Sequence, residues 1–539
     1  MAKTCGIKLL VILIGTLLIT SCTSSESRFT RFQLDNNTEG VIEKTNNIYN
    51  TVVVSNDPNV YKAEYEAGFI QGRLQKNLIP SMRDNMWDAA YLMSPSHNYP
   101  QQIPPSPAEI AMAERTLKIN WDYTVEYIRA QGDSETGAKM RRLMYRLLGI
   151  YHGAIKERPD NLPFDSSWFP SFTETELDIG YESPLLTFMD IYFINSFGDL
   201  FDVLPDNAPA AKAGSPSKCS AFVKKTSDDI FITHNSWYCF LSQSQAMSLW
   251  VNGDYLTMNV IGPGMLGSGT DFGYTNKGIM FNETTHRATH SEPKADALWM
   301  FWRATLAEQF ATSIDDFFRL VSLEASGTYM NGYMVADAKT NEIGLVEMSY
   351  KSFVFYKPDG QGGLAVTTKP AGQDTTYDQE LVRPDYVLGI NYPAAKLIQD
   401  DLLAQDNRPA RRRQFSAMIG SVNGIEDAKA LITYTDPLNP LSIYGRWDLG
   451  YGETPSPKTI PDGSIDAKSV SASMVRKAMN LEGVLDTDSS LKSFWMKYGT
   501  PSINGKPFIW SKSQWSGWKL RGVPDRVDGE YTLLNAYIR

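Results

Sequence analysis

Residues 218–237 read KCSAFVKKTSDDIFITHNSW, and the change of period across this stretch decides the fold. Cys219–Lys225 and Ile230–Trp237 are β-rich runs, and Thr226-Ser227-Asp228-Asp229 between them has the polar, turn-forming composition that closes a hairpin. A two-residue turn at Asp228-Asp229 would set position 219 near position 238, bringing Trp237 and Tyr238 closer to Cys219 than His234. Immediately upstream, residues 207–217 (NAPAAKAGSPS) have no apolar periodicity and read as an exposed linker, where a chain cut would damage no core.

Before the linker the period is helical, in Tyr61–Leu78, Pro107–Ala130 and Thr136–Ile155, with a more apolar run over Pro184–Leu204. After the hairpin, strands are expected at Tyr255–Ile261, Lys277–Glu283, Tyr333–Ala338, Gly344–Ser349 and Phe353–Tyr356. Helical spacing returns in Ala295–Ala311 and Ile314–Ala325, with Ser313 as N-cap of the second. Strands, two helices and more strands predict a layered α+β domain. No internal repeat has a solenoid period.

A chain of 539 residues exceeds what one core serves, and its 42% hydrophobic content excludes disorder. The net charge of -10 offers no basic surface, so nucleic acid is not an expected partner. Lys3 and Lys8 precede the apolar stretch Leu9–Ile19, which has the length of a signal-peptide core. Ile19-Thr20-Ser21-Cys22 resembles the lipobox of bacterial lipoproteins, with Cys22 the lipidated residue; an ordinary secretory signal is the alternative. Both place the protein outside the cytoplasm, the first on a bacterial membrane through a lipid anchor.

With Cys5 lost with the signal and Cys22 lipidated, the body keeps Cys219 and Cys239, either a disulfide or free thiols. Hydrolysis of Lys218-Cys219 would give Cys219 a free α-amine with a pKa of roughly 7.7 to 8.0 beside a thiol near about 8.5, so one residue would supply nucleophile and base. No histidine is then required, which suits a chain with only five, at 97, 152, 234, 286 and 290. His286 and His290 have zinc-helix spacing, but Arg287 stands where the metalloprotease motif needs Glu, and no metal or other cofactor is expected.

The segment Lys218–Lys224 followed by His234-Asn235-Ser236-Trp237 resembles the phospholipase B-like family of N-terminal-nucleophile cysteine hydrolases. Collinear matches follow at Glu66–Gly72, Glu283-Thr284-Thr285, Ser326-Gly327-Thr328-Tyr329 with Asn331, Gly463–Lys468 and Gly522-Val523-Pro524-Asp525. The resemblance implies an αββα sandwich, with Cys219 as nucleophile and His234, Asn235 and Trp237 on the active-site strand opposite. Thr285 and Asn331 would orient substrate or donate to an oxyanion. A neutral amide such as Asn331 can stabilise that charge without a proton change. The chain thus divides into a signal (1–21), a tether and lead-in (22–58), a helical propeptide-like region (59–204), a linker (205–218) and a catalytic domain (219–539), and the resemblance implies that the processed fragments 22–218 and 219–539 stay associated.

Some departures matter. Cysteine hydrolases of bile-salt and penicillin amides carry Arg-Asn-x-Asp where this chain has His-Asn-Ser-Trp, so those substrates are not implied. The family's Asn-Asn is Met330-Asn331 here, and its Arg-Gly-Asp-Leu is Arg446-Trp447-Asp448-Leu449, leaving Arg446 as a candidate substrate-binding cation or a surface arginine. The resemblance implies hydrolysis of acyl lipids through a thioester. An amidase or acyltransferase on small N-acyl compounds is the alternative enzyme, and a glycan-binding surface lipoprotein rich in Trp and Tyr the non-enzymatic one.

Overall fold

The computed structural model describes residues 28–93, 102–204 and 219–536, apart from 246, 253–254, 270, 374, 407–408, 437, 439–440, 447–460, 480–491 and 501–506. The signal and Cys22, the linker 205–218 and Lys218 therefore lie outside the described residues.

Residues 28–55, expected to be part of a tether and lead-in, are instead built into a sheet. They form three antiparallel strands, β1 (Arg28–Gln33), β2 (Thr38–Thr45) and β3 (Ile48–Ser55). Side chains of β3 alternate between two cores, Val53 into one and Val52 and Val54 into the other. Its second neighbour is β7 (Met247–Asn252), paired in parallel from beyond the linker, a long-range partner with no local signature.

Five helices follow: α1 (Val60–Gln75), α2 (Ile79–Met93), α3 (Pro107–Gln131), α4 (Glu135–Ile155) and α5 (Phe188–Val203). Asn59, Ser106, Ser134 and Thr187 cap α1, α3, α4 and α5 by accepting first-turn backbone N–H groups. Glycine lets α1 and α4 touch backbone to backbone. A Cβ on Gly68 would stand 2.1 Å from the Arg146 carbonyl oxygen, and one on Gly149 2.1 Å from that of Tyr65. The Glu66–Gly72 motif is thus a helix-packing device.

Beyond the linker, β4 (Ser220–Lys225) and β5 (Ile230–Asn235) form the expected hairpin, but its loop is the four residues 226–229. Ser220 pairs with Asn235 and Ala221 with His234, so Cys219 stands beside Ser236 and not position 238. Opposed residues share a face in an antiparallel pair, so His234 comes onto the Cys219 face, while the Trp237 backbone N–H still reaches the thiol. The short β6 (Trp237–Cys239) leaves this sheet.

The larger sheet has eleven strands, ordered β1-β2-β3-β7-β8-β9-β10-β11-β12-β13-β14. Its remaining members are β8 (Leu256–Ile261), β9 (Phe272–Thr275), β10 (Ile279–Thr285), β11 (Asn331–Asp337), β12 (Glu342–Met348), β13 (Phe353–Pro358) and β14 (Leu364–Lys369). Helices α6 (Met300–Phe310) and α7 (Ile314–Val321) intervene, and Ser313 caps α7 by accepting the Asp316 N–H.

The second sheet is ordered β15-β16-β4-β5-β20-β21-β22. Its other strands are β15 (Val382–Arg383), β16 (Tyr386–Gly389), β20 (Asp466–Ser471), β21 (Ser493–Tyr498) and β22 (Tyr531–Asn535). Between these run α8 (Lys396–Leu402), α9 (Pro409–Met418), α10 (Ile425–Ile432) and α11 (Ala472–Met479), with small pairs β17 (Leu441–Ser442) with β18 (Gly445–Arg446), and β19 (Asp462–Ser464) with β6.

The fold is mixed α+β with two large sheets. On β10, Ile279 and Phe281 enter a core shared with α1–α7, while Met280 enters one shared with the second sheet. Helices α10 and α11 pack on β5 and β20, and Phe415 of α9 meets Phe222 of β4 edge to face. Asn282 bridges the sheets, its amide donating to the Phe222 and Thr233 carbonyls at 3.3 and 2.7 Å.

Candidate active site

Cys219 sits at the mouth of β4, buried at 8% exposure, and both it and Cys239 are free thiols. Its position is over-determined. The Ser220 N–H donates to Asn235 Oδ1 (3.0 Å), while the Asn235 amide donates to the carbonyls of Ile432 (2.7 Å) and Ile443 (2.9 Å). Asn235 is thus a clamp on the strand that carries Cys219.

A second clamp escaped the sequence reading. Arg411 is fully buried and donates Nη1 to the Cys219 carbonyl (2.6 Å) and Ser220 Oγ (3.1 Å), and Nη2 to the Ile390 carbonyl (2.6 Å) and Asn391 Oδ1 (2.9 Å). Its guanidinium lies 4.7 Å from the centroid of Trp237, which places Trp237 as the platform for Arg411. Arg411 opens an Arg-Arg-Arg run that belongs to none of the quoted motifs.

On the other side of the thiol, donor atoms of Cys219, His234, Asp271 and Glu283 all lie within 4.8 Å of one another, and all four residues are buried. Burial, then Glu283 and Asp271, push the Cys219 thiol up; the Trp237 backbone N–H and the Lys468 ammonium oppose them. His234 is held well below its ordinary value by burial and by Lys468, so it is a neutral imidazole. Burial lifts Asp271 to about 6, against hydrogen bonds with Glu283 and the Tyr329 hydroxyl, the latter at 3.0 Å. Asp271 and Tyr329 both adopt positive φ, 55° and 43°, in the connections that bring them together. Glu283 belonged to a quoted motif; nothing in the sequence marked Asp271.

Lys468, at the end of the Gly463–Lys468 motif, is fully buried and donates to Ser236 Oγ and Asp466 Oδ1, both at 2.7 Å. Asp466 Oδ1 also accepts the Ser236 N–H at 3.0 Å, so this network fixes the residue beside Cys219.

Thr285 and Asn331 face each other across β10 and β11. Asn331 is fully buried, and neither atom of its amide has a hydrogen-bond partner. A native interior rarely leaves such an amide unpaired without a task for it. Arg446 lies on β18, but its side chain is outside the described residues. His286 and His290 diverge, His286 to 4.0 Å from Glu347 and His290 onto Tyr350, so they do not form a pair.

Cys219, Asp271 and Thr285 line a cavity of about 540 Å³. Its apolar wall includes Met82 and Met86 of α2, Ile194 and Phe197 of α5, and Met265 and Met300, so segments on both sides of the linker build it. Glu308 of α6 also lines it, fully buried and lifted to about 8 by desolvation, with the Ser268 N–H bond (2.8 Å) opposing. No described helix is long and apolar enough to cross a membrane.

A family model described as Phospholipase B matches residues 175–533, a span that straddles the Lys218-Cys219 bond. Phospholipase B-like 1 of Rattus norvegicus is 25% identical over 264 residues, covering 45% of this chain and 44% of that protein. The protein of the same name from Homo sapiens is 27% identical over 175 residues, 29% of this chain and 32% of that one. Phospholipase B-like protein A of Dictyostelium discoideum is 24% identical over 408 residues, 64% of this chain and 66% of that one. The chain spans less than half the length of the mammalian relatives it matches. These relatives are from mammals and an amoeba, with a further one from a snake, and none indicates a bacterial membrane, which overturns the expected placement on one.

Proposed function

The chain belongs to the phospholipase B family, and on that premise we propose that it hydrolyses acyl ester or amide bonds through a thioester on Cys219, freed as an N-terminus by a cut after Lys218. The observation that carries this reading is the placement of a doubly clamped Cys219 on a largely apolar cavity, with the unpaired Asn331 amide on the neighbouring sheet.

The proposed architecture is an αββα sandwich of the N-terminal-nucleophile type. Two facing sheets with a shared core, and helices packed on the far face of each, support it. Association of the two fragments after the cut is supported by the parallel pairing of β3 with β7, which would leave both pieces in one hydrogen-bonded sheet.

The chemistry follows from the groups in place. The α-amine released by the cut takes the Cys219 proton as the sulfur attacks the substrate carbonyl, and the carbon–sulfur bond forms. Negative charge on the former carbonyl oxygen is met by the Asn331 amide, a donor needing no reorganisation. The leaving oxygen or nitrogen departs with the proton held by the α-ammonium. Water then opens the thioester, with the same amine accepting its proton. Met82, Met86 and Met265, flexible and apolar, suit an acyl chain of variable shape. Acyl compounds, phospholipids among them, are therefore the proposed substrates.

The test has two measurements. Edman sequencing of the larger fragment should begin at Cys219, and Cys219→Ala should remain one chain and release no fatty acid from phospholipid or N-acyl amide substrates. A single intact chain whose Cys219→Ala variant keeps full activity would sink the reading.

A further inference from the structure

We infer that Cys219, His234, Asp271 and Glu283 form a binding site for a borderline-soft divalent cation, Zn²⁺ foremost, that competes with the acyl substrate for Cys219. The competition rests on the proposed role of Cys219 as nucleophile; the binding itself does not.

Four donor atoms, one from each residue, lie within 4.8 Å of one another. A tetrahedral zinc with bonds of about 2.0 to 2.3 Å keeps its ligands roughly 3.3 to 3.8 Å apart, so closing the set requires movements of about an ångström, within reach of side-chain torsions. The donors are a thiolate, an imidazole and two carboxylates. A sulfur and a nitrogen in the set favour zinc over magnesium or calcium, which select oxygen.

The scaffold is built independently of any ion. Cys219 stands at the start of β4, His234 lies on β5, Asp271 in the turn before β9 and Glu283 on β10, so two facing sheets hold the four donors. His234 supplies the second observation: it is fully buried, and neither ring nitrogen makes a well-formed hydrogen bond, the Glu283 backbone being a weak polar approach. The Tyr329 hydroxyl bond to Asp271 (3.0 Å) is the kind of outer contact that orients a ligating carboxylate. Cys219 and Asp271 open onto the cavity, which gives an ion its way in. On binding, the sulfur exchanges its proton for the metal, and the proton leaves to solvent; no electron is transferred.

The full chain, freed of metal by a chelator, is titrated with Co²⁺. We expect one ion per chain and the near-ultraviolet charge-transfer band of a cobalt–thiolate bond, with Zn²⁺ displacing the cobalt. Acyl release should fall as zinc is added and return with chelator. Cys219→Ser should lose the band while Cys239→Ser keeps it, and Glu283→Gln should weaken cobalt binding at least about tenfold. No band in the unaltered chain, or a band that survives Cys219→Ser, overturns the site. Cys219-dependent hydrolysis in a chain that gives no band leaves the nucleophile reading standing without the metal site. A Cys219-dependent band with hydrolysis surviving Cys219→Ser does the reverse.

Discussion

Replacing Glu308 by Gln tests the electrostatics of the cavity wall. The carboxyl is fully buried on α6, where Oε2 accepts the Ser268 N–H at 2.8 Å and the Tyr333 hydroxyl adds a weaker polar contact. Gly267 passes so close that a Cβ there would stand 2.8 Å from the same Oε2, so the loop can lie against the carboxyl only with glycine at that position. Burial lifts the Glu308 pKa from 4.5 to about 8. Below pH 4.5 the group is protonated whether the chain is folded or not, and contributes no pH dependence. Between the two values the unfolded chain has lost the proton and the folded chain keeps it, so the folded state binds more protons and stability falls as pH rises. The separation corresponds to roughly 5 kcal/mol, fully expressed once pH exceeds about 8.

Glutamine has the same shape and cannot ionise. Glu308→Gln should therefore unfold within about 1 kcal/mol of the parent at pH 4.5 to 5 and be several kcal/mol more stable near pH 8.5. Urea unfolding followed by tryptophan fluorescence across that range measures the difference. Glu347, lifted to about 7 by burial, gives both proteins a slope of the same sign, which cancels in the comparison. Parallel stability curves for the two proteins would refute the assignment of a neutral, proton-retaining carboxyl at Glu308.

Three further outcomes are expected. Asn331→Ala should lower kcat by about 10²- to 10³-fold with little change in KM, read from fatty-acid release, and an unchanged kcat would remove Asn331 from the oxyanion role. Arg411→Lys cannot reproduce the two-pronged hold on the Cys219 and Ile390 carbonyls; circular dichroism should show a folded chain whose kcat falls at least about tenfold, and wild-type turnover would show that the clamp is dispensable. Gly149→Ala forces a methyl to 2.1 Å from the Tyr65 carbonyl and should destabilise by about 1 to 3 kcal/mol in denaturant unfolding, whereas a loss under about 0.5 kcal/mol would contradict the α1–α4 contact.

What sequence could reach depended on how far away each residue's partner lies. Ser313 and the helix it caps were legible because the cap bond closes within one turn, at Asp316. The hairpin was legible for the same reason, yet its register was not. Thr226 closes a four-residue loop, its hydroxyl accepting the Asp229 N–H at 3.0 Å and its N–H meeting the Asp229 carbonyl at 2.8 Å. A two-residue turn ignores that threonine, and the two-residue displacement of the partner strand set His234 too far from Cys219. The parallel pairing of β3 with β7 and the role of Arg411 lay beyond local reading altogether. Strand β3 gains β7, from across the linker, as its second partner beside β2; Arg411 is an active-site clamp although Arg413, two residues on, is exposed. The same logic orders the site residues themselves. Cys219, Asn235 and Trp237 sit on one hairpin and can be nominated from its motif, but the charge around the thiol is set by Asp271 and Glu283, which reach it only once the two sheets face each other. The identity of the candidate nucleophile is thus a local property of the chain, while its reactivity belongs to the folded pair of sheets.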